Sequence, residues 1–416
     1  MIEAINILIL ISLTILLGFI GSLFYDKTKI PDIIWLLLFG ILLGPIFHLY
    51  DPELFTRLSN LVSIVALCII LFDAGINVDV GLVIEMLPKS FLLLALTYPL
   101  TMVTIGFSLH FLFPNNFSLL EGLLLGGMVS GTSTVTTIGI LSTLERAGIN
   151  VERAKIILVL ESVLTDPIGV ITCITLIRMI MFPTVSLLEG FKTMFLSFSN
   201  SIIIGSIVGM LWAAVLDKLR GKPLTYMITL AVVFLSYIVS EEIGGEGSGA
   251  LAVLIFGLII TNFEYIAKIL EFKRIFKIEK RLLREFHEEI TFFMKSFFFV
   301  YIGLIISISQ EQIIAGLLAV GIILAVRYIA ASISSMVLKL NQLEKGILTV
   351  TVASGLPAMI MSQLPLIYDP NRQYFTSPEI YPNICFIVVI VTVLYGAFIA
   401  PYIAKRKAAS LSKQDN

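Results

Sequence analysis

Long apolar runs, broken at intervals by charged and turn-forming residues, constrain this chain more than any other feature. About thirteen stretches, most of them roughly 18 residues or more, can be marked out. Their limits are near 5–25, 32–49, 58–77, 88–112, 118–142, 154–181, 195–216, 224–241, 247–263, 290–309, 312–337, 346–367 and 382–404. A helix of such length crosses the hydrocarbon core of a bilayer, and lipid offers no partner to an open backbone, so helices are the structure expected. Composition agrees: 58% of residues are apolar, 14% are charged, and mean hydropathy is +1.01. A soluble domain carries roughly 25% charged residues. Net charge is −1, which gives no electrostatic footprint for nucleic acid. Cys68, Cys173 and Cys385 lie inside apolar runs without a metal-type spacing, and His48, His110 and His287 are scattered. No cofactor and no resident metal are expected. The first run carries Glu3 rather than a basic flank and is expected to be retained, not cleaved.

The loops alternate in charge. Basic residues follow the odd-numbered spans: Lys27 and Lys29, Lys89, then Arg146, Arg153 and Lys155, then Lys218, Arg220 and Lys222. Lys268 to Arg284 fill the loop after span 9, Lys339 and Lys345 follow span 11, and Lys405, Arg406 and Lys407 follow span 13. The opposite loops hold little beyond Arg57 and Arg372. The positive-inside rule then predicts an outer N-terminus and a cytoplasmic C-terminus in a plasma membrane. The basic loop at 263–289 reads either as an amphipathic helix lying on the inner face, with Leu270, Ile275, Phe276, Leu282, Leu283 and Phe286 at helical spacing, or as a solvated connector. The tail 405–416 is short.

A charge at the centre of a membrane helix costs about 2.5–3.5 kcal/mol on insertion scales, so the few that occur point to function. Span 6 contains Glu161-Ser162 followed by Thr165-Asp166-Pro167. Ser162 and Asp166 are four apart and share a face. Glu161 and Asp166 are five apart, about 140° round the helix, and need different partners. Pro167 has no N–H and frees the carbonyl of Val163, a possible cation ligand and a local break. Arg327, deep in span 11, is the candidate partner of Glu161, which leaves Asp166 free for a proton or cation. Asp73, near the end of span 3, is either a ligand in a cytoplasmic funnel or an interfacial cap. Arg178, Glu241, Glu242, Glu246 and Lys295 read mostly as snorkelling or loop groups.

Two spans carry their own interruptions. Span 5 holds Ser130-Gly131-Thr132-Ser133-Thr134-Val135-Thr136-Thr137, whose hydroxyls and glycine disfavour continuous helix and offer oxygen ligands. Span 12 holds Ser354-Gly355-Leu356-Pro357. Non-helical backbone at membrane depth is tolerated where it faces protein or a wet cavity, and paired interruptions in two halves point to a transporter binding site. Residues 1–181 and 224–404 are then two inverted six-helix repeats, with 182–223 a linker that includes one helix.

Asp73, the hydroxyl-rich span 5, Glu161-Ser162 with Thr165-Asp166, and Arg327 together resemble the NhaP/NHE branch of the cation–proton antiporters. Ser248-Gly249-Ala250-Leu251-Ala252-Val253 and Phe297-Phe298-Phe299-Val300-Tyr301-Ile302-Gly303-Leu304 are also similar to runs of that family. The resemblance extends over nearly the whole chain. It implies an all-α polytopic fold of the NhaA/NhaP kind, a homodimer, and a core domain moving against a dimer domain. It implies that Asp166 binds cation and proton, with Ser162, Thr132 and Asp73 as further ligands and Thr165, Ser133 and Thr134 in support. Glu161 and Arg327 then form a structural ion pair, and Gly131, Pro167, Gly355 and Pro357 mark helix breaks. The chain departs from the family in having Thr165 before Asp166 where Asn is usual, and Ser133 where an Asp is usual.

The expected activity is exchange of Na⁺, or alternatively Li⁺ or K⁺, for H⁺, with cation and proton competing for Asp166 and exchange electroneutral. A K⁺/H⁺ antiporter is the nearest alternative. An ion channel or a cation-coupled organic-anion symporter on the same fold is a different class. An intramembrane hydrolase lacks a nucleophile–base pair. Beyond the two ions, the expected partners are lipids and a second copy of the chain.

Overall fold

A computed structural model describes residues 2–28, 32–47, 59–182, 187–222, 224–245, 248–272 and 276–412. His48, Arg57, Glu246, Lys273, Arg274 and Ile275 lie outside the described residues. Among the described residues the secondary structure is helical, without a strand. The helices are α1 (Ile2–Thr28), α2 (Asp32–Ile41), α3 (Ser59–Asn77), α4 (Val80–Leu112), α5 (Leu119–Val129), α6 (Thr134–Glu145), α7 (Glu152–Met181), α8 (Leu187–Lys218) and α9 (Thr225–Gly244). They continue as α10 (Ser248–Ile269), α11 (Lys280–Ile305), α12 (Gln310–Val337), α13 (Gln342–Val350), α14 (Leu356–Met361), α15 (Leu364–Tyr368), α16 (Ile380–Leu394) and α17 (Ala400–Ser412). A π-helical turn follows α2 at Leu42–Ile46, and another joins α16 to α17 at Tyr395–Ile399. Among the described residues, seven helices are long and apolar enough to cross a membrane and five shorter apolar ones accompany them.

Local chemistry explains several helix starts. Ser118 with Glu121, Ser309 with Gln312, and Asn341 with Glu344 each form a capping box at the heads of α5, α12 and α13. Each box satisfies two of the amides that a helix start leaves unbonded.

Two expectations need correction. Helix α7 runs unbroken through Pro167, so Pro167 marks no break. A proline inside a membrane helix removes one backbone bond, and surrounding groups can accommodate that loss. The basic loop holds no separate surface helix among its described residues. Leu282, Leu283 and Phe286 instead belong to the first turns of α11, which continues into the apolar run to Ile305. No stop signal separates the two stretches, so one helix includes both.

The chain forms two compact units. One comprises Met1–Ile15, Asp51–Glu85 and Val170–Tyr301, and the other Leu16–Tyr50, Met86–Gly169 and Ile302–Asn416. In the first unit α10 is central, packed on α3, α8 and α9. Helices there approach almost backbone to backbone. A β-carbon on Gly257 would stand 2.7 Å from the Phe72 carbonyl oxygen, and one on Gly205 would stand 2.5 Å from that of Ala252. In the second unit α12 packs on α13 and α16, α14 touches α5 and α16, and α17 lies on α13 and α6. A buried apolar cluster of Leu141, Leu144, Ile157, Leu158, Ile347, Leu348, Ala400 and Ala404, among others, joins these last elements.

Candidate functional site

In the second unit two interrupted segments meet. Residues 130–133 separate α5 from α6, and residues 351–355 separate α13 from α14. Each supplies what the other lacks. The Ser133 amide donates to the Ala353 carbonyl at 2.7 Å. The Ser354 hydroxyl donates to the Val129 carbonyl at 3.0 Å, satisfying the last carbonyl of α5. The Ser354 amide donates to the Thr392 hydroxyl at 3.1 Å. Ser133 also caps α6, accepting from the Thr136 amide at 3.4 Å. Buried helix ends without such partners would be costly. Gly131 lies in the first gap. Gly355 ends the second, where the Ser133 side chain occupies the space that a β-carbon would need. Pro357 sits in the first turn of α14, where a missing N–H costs nothing, so it starts a helix and the interruption precedes it.

Helix α7 is tied to the same crossing by hydroxyls. Thr132 Oγ1 donates to Ser162 Oγ at 3.1 Å, and Ser162 Oγ donates to the Thr132 carbonyl at 2.6 Å. Thr165 Oγ1 donates to the Ser162 carbonyl at 2.9 Å and accepts from the Thr132 amide at 3.4 Å. Thr132, Ser162 and Thr165 are all buried. Thr134, the first residue of α6, is half-buried.

The two acids of α7 have different surroundings. Arg327 of α12 donates through Nη1 to Glu161 Oε1 at 2.5 Å and through Nη2 to Glu161 Oε2 at 2.9 Å, and both side chains are 1% exposed. Arg327 Nε donates to the Leu348 carbonyl at 2.8 Å, near the end of α13. Asp166 differs: its Oδ1 is buried with no hydrogen-bond partner among the described residues. Beside the crossing is a cavity of about 10 Å³, lined among others by Thr101, Thr132, Arg327 and Ser354. It has room for one water at most, and the buried Thr101 hydroxyl has no hydrogen-bond partner among the described residues.

Asp73 belongs to the first unit, on α3. Its carboxylate accepts from Asn77 Nδ2 at 3.3 Å, and Lys295 and Glu288 act on it electrostatically. Glu241 was expected to be a span-end group. It accepts from the Gly249 amide at 3.0 Å in the first turn of α10. In the second unit, beyond α15, the buried Asp369 accepts from the amides of Gln373, Tyr374 and Phe375 at 2.9, 2.7 and 2.9 Å. Burial pushes its carboxyl up, but the three amides prevail and hold it below the usual carboxylate range.

Ser354, Thr392 and the Leu348 carbonyl went unread in the sequence. A hydroxyl next to Gly355 was the available signal for Ser354. Thr392, a lone hydroxyl in an apolar run, offered little.

The model of the sodium/hydrogen exchanger transmembrane family matches residues 11–405. The chain belongs to that family. As a sodium/hydrogen exchanger family member it is a multi-pass membrane protein and a secondary transporter, not an enzyme. It is 25% identical to a probable Na⁺/H⁺ antiporter 2 of Methanocaldococcus jannaschii, over 97% of this chain and 99% of that one. It is 24% identical to the K⁺/H⁺ antiporter NhaP of Alkalimonas amylolytica, over 96% of this chain and 67% of that one. The fold of this family member matches the solved structure of the sodium proton antiporter MjNhaP1 of M. jannaschii at pH 8. The TM-score is 0.78 at 20% identity, covering 97% of this chain and 99% of that one.

Proposed function

We propose that this chain exchanges Na⁺ for H⁺ across a plasma membrane, with the two ions competing for Asp166. The observation that carries this reading is the contrast on α7. Glu161 is neutralised by a two-pronged Arg327, whereas Asp166 keeps a buried oxygen without a hydrogen-bond partner among the described residues. A carboxylate in such a place favours a bound proton or a hard cation. Competition at one group couples the fluxes, since the site is occupied by one ion or the other. With one such acid, exchange is one for one and electroneutral.

Ser162 and Thr132 are assigned as further ligands, and Asp73 as an additional cation- or proton-binding acid. Thr165 is assigned to holding Thr132, because both its donor and an acceptor position are engaged. Ser133 closes the crossing with a neutral cap, and Thr134 stands beside it. Glu161 and Arg327 are the structural pair. Residues 1–181 and 224–404 are the two inverted repeats of a chain with its N-terminus outside, its C-terminus cytoplasmic, and a homodimeric assembly.

A second reading, K⁺/H⁺ exchange, is favoured by the printed activity of the A. amylolytica relative. Purified protein in liposomes with a trapped pH dye separates them. Proton movement driven by Na⁺, unaffected by a potential clamp and absent in Asp166→Asn, is the expected result. Movement with K⁺ alone selects the second reading, and conductance without coupled proton movement overturns both.

A further inference from the structure

We propose that Lys345 and Lys407 in the second unit form a binding site for the headgroup phosphate of an anionic phospholipid. On α17, Ala400 and Ala404 are buried against the unit's core. Lys407 continues that same helical stripe at i+3 from Ala404, an unusual position for a charged side chain. Gly346 of α13 makes room for it: a β-carbon there would stand 2.7 Å from Lys407 Cδ and 3.3 Å from its Nζ. The stem of Lys407 therefore lies across α13 next to Lys345, and the two ammonium groups repel each other.

The nearby acids relieve neither lysine. Glu344 serves the Asn341 amide at 2.8 Å and stands 3.7 Å from Arg153, while Glu145 pairs with Lys155 at 3.0 Å. Among the described residues no carboxylate pairs with Lys345 or Lys407. Lys405 and Arg406, both exposed, add to the excess. Two half-buried like charges held together by packing form a receptor for an anion with several oxygens, and phosphate is such a group.

A lipid is favoured over free phosphate by the neighbouring surface. Phe398, Ile399, Tyr402 and Ile403 are exposed on the turns just before the basic run. An apolar face ending in a tyrosine and then in lysines is the profile of a helix leaving a bilayer. Acyl chains would lie along the apolar face with the phosphate at the lysine pair.

Native mass spectrometry of delipidated protein tests this, titrating phosphatidylglycerol against phosphatidylcholine of the same chains. Wild type is expected to prefer phosphatidylglycerol, and K345Q/K407Q to bind it roughly ten- to thirtyfold more weakly, at the usual contribution of a basic residue near an anionic surface. Gly346→Ala keeps every charge but displaces Lys407, and is expected to lose most of the same preference. Equal binding of both lipids to wild type, or an undiminished preference in both variants, would overturn the site. Binding of inorganic phosphate at the lysine pair with no preference between the lipids would overturn the lipid as its occupant.

Discussion

Arg327 grips both carboxylate oxygens of Glu161 and, through its third nitrogen, the carbonyl of Leu348. One guanidinium thus joins α7, α12 and the end of the interrupted α13. The pair is fully buried, so removing one partner leaves an uncompensated charge. Glu161→Ala is expected to cost about 3–5 kcal/mol of stability. Arg327→Lys is expected to cost less but not to restore the wild-type level, because an ammonium cannot make the planar fork. Thermal melting and folded yield in detergent check both; a Glu161→Ala protein that melts like wild type would sink the assignment.

Asp166 makes no hydrogen bond through Oδ1 among the described residues, so its loss removes little from the fold. Asp166→Asn is expected to keep the wild-type melting temperature and monodispersity while cation-driven proton movement falls to the level of empty liposomes. Retained exchange in this variant would move the binding site elsewhere.

The crossing should behave as a fitted pair. Gly355→Ala drives a methyl into the Ser133 side chain, and overpacking of this kind costs about 1–3 kcal/mol. Ser133→Gly removes both the obstruction and the cap of α6, a loss of a few tenths of a kcal/mol for a glycine at that position. The double variant is expected to be less destabilised than the sum of the two, a coupling read from a double-mutant cycle. Strict additivity would mean that the two segments do not press on each other.

Asp369 supplies a pH signature away from the crossing. Its folded carboxyl titrates below the usual range. Its contribution is therefore fully present above the unfolded value, near 4, and is lost as pH falls through the lower folded value. Asp369→Asn replaces an acceptor with a donor facing amides and is expected to cost about 1.5–3 kcal/mol at neutral pH. Hydrogen exchange over residues 369–375 should differ between variant and wild type at pH 7 and converge as the pH is lowered through that range.

The contact of Glu161 with Arg327 was legible in the sequence because a buried charge restricts its partners to a few residues. The gaps at 130–133 and 351–355 were legible because hydroxyls, glycine and proline leave few other local conformations. Pro167 misled, since local propensity counts a lost bond but not the helix ends that packing holds in place on both sides. The head of α11 misled for the opposite reason: a change in polarity from Lys280 to Phe292 looks like a boundary, yet the helical period runs straight through it. The bonds from Ser354 to Val129 and Thr392 join residues 225 and 38 positions apart, and no local pattern encodes such a meeting.

The glycine contacts of α10 have a mechanical consequence. At the two points where Gly257 meets the backbone of α3 and Gly205 meets that of α10, main chain faces main chain with no side chain between them. Interfaces lined with leucine can yield by exchanging rotamers, but backbone pressed on backbone has no such give. At these points the helices of the first unit can slide only as whole bodies, because no rotamer change can open the contact.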